Sequence, residues 1–228
     1  MIKIGASILS ADFRFLKHEI EKVENAGVDF IHVDMMDGHF VPNISMGIGI
    51  ANYVKKITNL PVDVHLMVEN ADIFLNEFKD MDFITFHIEA VRFPFRMINK
   101  IRELGAKPIV AINPATPLDM IEYILEEVYG VLLMTVEPGF SGQKFIMPML
   151  KKIKRLKNLI EENNLETKIL VDGGINRETA YLAVKSGADW LIASSAIFRN
   201  PDVNRAVKEL RESALKALGE RNEINRSL

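Results

Sequence analysis

The chain alternates between short apolar segments and longer amphipathic segments along almost its whole length. The short segments are rich in Val, Ile and Phe, as buried strands are, whereas the longer ones repeat apolar residues at the spacing of a helix face. The eight predicted strands are 3–9, 29–35, 62–67, 83–87, 108–112, 131–136, 168–171 and 190–194. The eight predicted helices are 12–25, 48–57, 71–78, 95–104, 117–127, 147–163, 177–186 and 202–218.

This order of elements predicts one α/β domain, a (β/α)8 TIM barrel, over residues 1–218. No linker and no change of composition interrupts the pattern. The rival interpretation is a doubly wound open sheet, which usually has fewer strands. Residues 219–228 form a polar C-terminal tail outside the strand–helix repeat.

Composition and charge argue against several classes of function. The formal net charge of −3 provides no basic field, so nucleic acid or an anionic membrane is not expected as the main partner. No apolar segment reaches the length of a membrane span, and the first residues lack the layout of a signal peptide. The absence of cysteine removes disulfides, thiolate nucleophiles and cysteine metal ligands, and it favours a cytoplasmic location.

The second predicted strand carries the first candidate chemistry. His32 and Asp34 stand two residues apart in an otherwise apolar segment, so their side chains point to the same side of the sheet. Because an unpaired buried carboxylate is costly, Asp34 needs a partner, a metal ion or a hydrogen-bonding network. The turn residues Asp37 and Gly38 follow, which places the pair near the carboxyl end of the strand.

Polar residues also mark the ends of other strands, where barrels of this type build their active sites. They are Ser7, His65, His87 and Asp172. Together the four residues His32, Asp34, His65 and Asp172 form a nitrogen and oxygen ligand set that suits zinc, iron, cobalt or manganese better than calcium. Each also has a plainer interpretation, because a strand-end histidine is often a hydrogen-bonded core residue and Asp172 could simply open a turn. His18, on a predicted helix, and His39, in a loop, have weaker claims to function.

Segments of small residues follow the last three strands and indicate an anion site. They are residues 136–143, the pair Gly173 and Gly174, and residues 193–198, which begin a short helical turn. Small residues let backbone N–H groups approach an oxyanion, and the loops after strands seven and eight are the usual phosphate site of such barrels.

These motifs resemble the ribulose-phosphate 3-epimerase family, in order and with family-like spacing from about residue 4 to residue 198. The matching segments are HVDMMDGHFVPN at 32–43, DVHLMV at 63–68, FHIEA at 86–90, NPATP at 113–117, MTVEPGF at 134–140 and VDGGI at 171–175. The resemblance implies a barrel of the ribulose-phosphate-binding type and an isomerase that epimerises ketose phosphates at C3. It also implies one divalent metal ion (Zn, Fe, Co or Mn), no organic cofactor, a small phosphorylated ketose as substrate and a homo-oligomer.

The resemblance further implies roles for individual residues. His32, Asp34, His65 and Asp172 would be the metal ligands, with Asp34 and Asp172 also the two acid–base residues. The implied substrate contacts are Ser7, Met36, His65, Met67, His87, Met134, Gly139, Gly142, Gly173, Gly174, Ser194 and Ser195. Among these the three methionines, otherwise ordinary core residues, would line the reacting carbons. Gly142, Gly174, Ser194 and Ser195 would hold the phosphate.

Three positions depart from the family pattern. Ser141 and Ser194 stand where glycine is common, and residue 48 is Ile where proline is usual. Residues 91–96 lack a histidine-containing pattern of the pentulose enzymes, which leaves two substrates open. D-Ribulose 5-phosphate, converted to D-xylulose 5-phosphate, is the first; D-allulose 6-phosphate, converted to D-fructose 6-phosphate, is the alternative. A lysine-dependent barrel decarboxylase or aldolase, or a non-catalytic binder of sugar phosphates, fits the strand-end His and Asp residues less well.

Overall fold

Eight parallel strands close into a barrel in the order β1 to β8 in the computed structural model, which describes residues 1–226. The strands are β1 Lys3–Ser7, β2 Phe30–Met36, β3 Val62–Met67, β4 Phe83–His87, β5 Lys107–Ile112, β6 Gly130–Met134, β7 Lys168–Asp172 and β8 Trp190–Ala193. The prediction of a (β/α)8 barrel is therefore confirmed, and the open sheet is excluded because β8 pairs with β1.

Helices surround the barrel. They are α1 Leu16–Asn25, α2 Ile48–Ile57, α3 Pro94–Glu103, α4 Met149–Glu162, α5 Arg177–Ser186, α6 Ser195–Phe198 and α7 Val203–Arg226. The start of α5 shows how local sequence sets these bounds, because Asn176 and Thr179 form a reciprocal capping box at its N-terminus. The helix ends at Gly187, whose φ of 129° side chains rarely adopt.

Two predicted helices, 71–78 and 117–127, are wrong in type. The first is a pair of 3₁₀ helices, Ala71–Ile73 and Leu75–Phe78, and the second is another pair, Leu118–Met120 and Glu122–Ile124. In the second segment the buried residues Leu118, Ile121 and Ile124 recur every three positions. That spacing matches the three residues per turn of a 3₁₀ helix, so a 3₁₀ turn keeps them all against the barrel.

The barrel interior is divided into an apolar end and a polar end. At the amino end, Trp190 packs against Phe30 and Phe83, with ring centroids 5.1 Å and 5.3 Å away. Gly5 is required there, because a Cβ atom at this position would lie 2.3 Å from the Phe30 ring. Every second residue of β2 faces the barrel interior, so Phe30 is followed on that face by His32, Asp34 and Met36 toward the carboxyl end. The aromatic layer thus closes one end of the barrel and leaves polar side chains at the other.

The second apolar layer lies between the outer faces of the strands and the helices. In the described part of the chain, none of the helices combines the length and the apolar character needed to cross a bilayer. The polar tail predicted for residues 219–228 lies partly outside the described residues; α7 continues through Gly219 to Arg226.

Candidate active site

His32, Asp34, His65 and Asp172 converge at the carboxyl end of the barrel. Each offers one ligand atom, and these four atoms all lie within 4.8 Å of one another. Asp34 is central: its Oδ1 lies 3.1 Å from His32 Nε2 and 3.0 Å from His65 Nδ1. Asp172 Oδ2 is 3.9 Å from the same His32 nitrogen. Strand register produces this arrangement, because Asp34 on β2 pairs directly with His65 on β3.

The pKa values of the two carboxyl groups are shifted in opposite directions. Burial, together with the charge of Asp34, raises the pKa of Asp172 to about 7. Burial opposes ionisation of Asp34 as well, but the facing His32 and His65 hold its pKa well below the usual range. Two imidazole nitrogens and two carboxylate oxygens in one buried site are the donors that zinc, iron, cobalt and manganese accept in proteins. The residues present therefore fit a divalent metal ion.

Asp63, which sequence reasoning missed, holds His32 from behind. Its Oδ2 lies 2.8 Å from His32 Nδ1, and its Oδ1 accepts a 2.8 Å hydrogen bond from Thr85 Oγ1. Although burial lowers the basicity of His32, Asp34 and Asp63 together raise its pKa well above the usual value. The signal was present in the sequence, because Asp63 stands two residues before His65 as His32 stands two before Asp34.

Sequence reasoning also missed Glu89, which contacts His87, the residue behind His65. His65 Nε2 is 2.9 Å from His87 Nε2, and His87 Nδ1 is 3.2 Å from Glu89 Oε2. Burial lowers the pKa of His65 and lowers that of His87 to about 4. Glu89 is partly buried, yet hydrogen bonds from His87, Thr116 and the Asn113 N–H lower its pKa to about 2. Each cluster histidine is thus backed by a second polar group.

A pocket opens at the cluster. Asp34 and Asp172 form part of its wall. The predicted substrate contacts that line it are Ser7, Met36, Met67, Met134, Gly139, Gly142, Gly173, Gly174, Ser194 and Ser195. His65 and His87 lie behind the wall and are fully buried. The two carboxyl groups, the three methionines and the small residues thus line one pocket together.

The glycine positions in the pocket wall keep backbone atoms accessible. Gly142 and Gly174 have φ values of 78° and 67°, in the left-handed region. At Gly174 a Cβ atom would lie 2.4 Å from the backbone nitrogen of Phe145, so only glycine fits. Exposed backbone N–H groups in such loops are the usual means of binding an oxyanion.

Ser141 and Ser194 tie neighbouring loops together. Ser194 Oγ donates to the Ser7 carbonyl at 2.9 Å and accepts from the Ser10 N–H at 3.1 Å. The hydroxyl of Ser10 donates to Ser141 Oγ at 3.1 Å. These hydroxyl groups therefore connect the loop after β1 to the loops after β6 and β8.

His18 and His39 lie outside the cluster. His18 is exposed on α1, where Nδ1 is 3.9 Å from Glu21 Oε2. His39 is exposed in the loop after β2, and its backbone N–H donates to Asp37 Oδ1 at 2.8 Å.

Comparison with known proteins places these observations in a family. The sequence model of the ribulose-phosphate 3 epimerase family matches residues 3–198. A protein of Methanocaldococcus jannaschii named ribulose-phosphate 3-epimerase is 74% identical over 218 residues, covering 96% of this chain and 93% of the relative. A protein of Bacillus subtilis with the same name is 46% identical, covering 93% of this chain and 100% of the relative.

Solved structures with low sequence identity share the fold. 3-Hexulose-6-phosphate synthase from Salmonella typhimurium superposes with a TM-score of 0.70 at 18% identity, covering 95% of this chain and 100% of the synthase chain. Orotidine 5'-phosphate decarboxylase from Pyrococcus horikoshii superposes with a TM-score of 0.64 at 21% identity, covering 92% and 98% of the two chains.

Proposed function

The chain belongs to the ribulose-phosphate 3-epimerase family and is an isomerase, and we propose that it interconverts D-ribulose 5-phosphate and D-xylulose 5-phosphate. The observation that carries this proposal is that Asp34 and Asp172, from the non-adjacent strands β2 and β7, line one pocket. The names of the 74% and 46% identical relatives support ribulose phosphate as the substrate.

Epimerisation at C3 requires two proton transfers on opposite faces of the sugar. One group must remove the proton beside the C2 carbonyl, and another must return a proton from the other side. We assign these steps to Asp34 and Asp172, which exchange the roles of base and acid in the reverse reaction. Each positioned acid or base is typically worth roughly 10²- to 10⁴-fold in rate.

The same cluster would hold the metal ion. His32, His65 and the two aspartates would be its ligands, and a divalent ion bound there would polarise the C2 carbonyl and stabilise the negative charge that develops on its oxygen. Ser7 Oγ donates a hydrogen bond to Asp34 Oδ2 and so orients the carboxylate that takes the proton. The methionines keep water away from the reacting carbons.

The phosphate is assigned to the loops after β6, β7 and β8. Gly142, Gly174 and Ser195 line the same pocket as the two carboxyl groups. Neutral backbone donors can bind a phosphate without a charged side chain. The location in the cytoplasm and the assembly into homo-oligomers stay predictions from the sequence.

D-Allulose 6-phosphate remains the alternative substrate, because residues 91–96 lack the histidine-containing pattern of the pentulose enzymes. Turnover of both ketose phosphates by one purified preparation, in deuterium oxide, tests the proposal. We expect the higher kcat/KM on ribulose 5-phosphate and deuterium at C3 of the product. A higher value on the hexulose would transfer the assignment to the alternative, and product without deuterium would contradict the proton-transfer mechanism.

A further inference from the structure

His87 lies between His65 and Glu89 and has both ring nitrogens engaged. Its Nε2 is 2.9 Å from His65 Nε2 and its Nδ1 is 3.2 Å from Glu89 Oε2. The planes of the two histidine rings are inclined by only 19°. The Phe40 ring packs against His87 with a centroid distance of 4.6 Å. With no free ring nitrogen and a fully buried side chain, His87 is placed to act on His65 rather than on the substrate.

Glu89, His87 and His65 form a row of hydrogen-bonded side chains. The donors around Glu89 set the direction of the hydrogen bonds along this row. Glu89 Oε1 accepts from the Asn113 N–H at 2.8 Å and from the Thr116 hydroxyl. An ionised carboxylate only accepts, so Glu89 Oε2 takes the hydrogen of His87 Nδ1. An imidazole that carries its hydrogen on Nδ1 accepts at Nε2, so the hydrogen between the two rings, whose Nε2 atoms are 2.9 Å apart, belongs to His65 Nε2.

This placement leaves His65 Nδ1 without a hydrogen, 3.0 Å from the Asp34 Oδ1 atom. Two electron-rich atoms at that distance repel each other unless a cation lies beside both. His32 faces the same Asp34 oxygen through its Nε2 at 3.1 Å, and Asp63 lies 2.8 Å from its Nδ1. Both histidines thus direct one ring nitrogen at the same Asp34 oxygen.

We propose that Glu89 is a positioning residue that acts through His87 to hold His65 in the tautomer whose Nδ1 can bind a divalent cation. This rests on the proposed function, which makes His65 a ligand. The row is anchored beyond the barrel wall, because Lys152 Nζ on α4 donates to the Asn113 and Pro114 carbonyls at 2.9 Å and 3.1 Å, and to the Thr116 carbonyl. The loop that donates to Glu89 is therefore itself held in place.

Glu89→Gln tests the proposal, because one amide oxygen cannot serve all the donors around Glu89. That oxygen must accept from Asn113 and Thr116, so the amide NH₂ faces His87 Nδ1 and reverses the hydrogen bonds of the row. Losing a group that orients a metal ligand typically weakens metal binding roughly 10- to 100-fold. We expect a rise of that size in the dissociation constant for Co²⁺, measured by competition with a chelator, and an altered visible spectrum of the bound Co²⁺. Glu127→Gln, which removes the exposed ion pair with Arg102, is the matched control and should change neither.

A double-mutant cycle separates this role from a merely structural one. His87→Phe removes the acceptor for His65 Nε2 and should weaken Co²⁺ binding by a similar factor. If Glu89 acts through His87, adding Glu89→Gln to His87→Phe should change the dissociation constant less than about twofold. Equal and additive effects would overturn the proposal, as would a Glu89→Gln protein that binds Co²⁺ like the wild type.

The remaining outcomes are also decisive. If Glu89→Gln does not fold, His87→Phe alone decides. Unchanged Co²⁺ binding in that variant would contradict the proposal that His87 holds His65 in its metal-binding tautomer. A wild-type protein that binds no divalent cation would remove the proposed metal site itself, and the inference with it. Wild-type binding with an unaffected Glu89→Gln variant would leave the proposed function standing and overturn only the role of Glu89.

Discussion

Ser7 Oγ donates a 2.7 Å hydrogen bond to Asp34 Oδ2, on the side of the carboxylate away from His32 and His65. Both residues are buried, so this bond forms with little competition from water. It joins the end of β1 to β2 and fixes the plane of the carboxylate. The base proposed for C3 is therefore oriented by a hydroxyl group on one side and by two imidazoles on the other.

Ser7→Ala should slow turnover without unfolding the protein. A hydrogen bond to a charged group contributes roughly 1.5–3 kcal/mol, which corresponds to about a 10- to 100-fold lower kcat if it acts in the transition state. Steady-state kinetics and a thermal melt measure the two effects. Ser213→Ala, which removes a hydroxyl that donates to the Arg177 carbonyl, is the control and should leave kcat unchanged. Wild-type kcat in Ser7→Ala would show that Asp34 does not need this bond.

Asp172→Asn should strongly slow epimerisation while preserving the fold. The amide keeps the volume of the side chain but cannot transfer a proton, so we expect kcat to fall by roughly 10²- to 10⁴-fold. Circular dichroism should match the wild type. Asp72→Asn, which changes an exposed carboxylate in the segment after β3, serves as the control. Near-wild-type turnover of Asp172→Asn would remove this residue from the mechanism.

The barrel could be predicted because short apolar segments alternate with longer amphipathic segments along almost the whole chain. The two helices predicted after β3 and β5 could not, since the residues that face the barrel, such as Leu118 and Ile121, satisfy a spacing of three as well as one of three and four. The sequence there indicates a helical segment but does not distinguish a 3₁₀ helix from an α-helix.

The sequence predicts the four residues that meet in the cluster, but it does not predict their supporting contacts. Asp63 and Glu89 carry the same two-residue spacing to a histidine that made His32 and Asp34 conspicuous. Which nitrogen meets which carboxylate depends on strand register and ring orientation, as the contacts of His87 show. Those relationships join different strands, so no local pattern contains them.

Removal of the divalent ion should abolish activity and its return should restore it. With four donor atoms within 4.8 Å of one another, the two carboxylates carry charge that the ion would balance. We expect a chelator followed by gel filtration to leave no measurable turnover, and Zn²⁺, Fe²⁺, Co²⁺ or Mn²⁺ to recover it, whereas Ca²⁺ should not. Metal content is measured alongside turnover. Activity in a preparation shown to be free of metal would contradict the proposed role.

Gly174→Ala should damage both stability and phosphate binding, because two independent features of the position require glycine. Its φ of 67° costs an alanine about 1–2 kcal/mol, and the added Cβ would lie 2.4 Å from the Phe145 backbone nitrogen. The neighbouring loop must move to relieve that contact, and it carries part of the proposed phosphate site. We therefore expect a lower melting temperature together with a rise of about tenfold in KM and in the inhibition constant of inorganic phosphate.

Gly49→Ala is the matched control, since Gly49 lies exposed in α2 and a Cβ atom added there would have no neighbouring atom within 4 Å. Alanine favours a helix over glycine by roughly 0.5–1 kcal/mol, so this variant should melt at the same or a higher temperature with an unchanged KM. If Gly174→Ala loses stability but keeps the wild-type inhibition constant for phosphate, the loop after β7 supports the fold without holding the phosphate, and the phosphate must then be assigned to the loops after β6 and β8 alone.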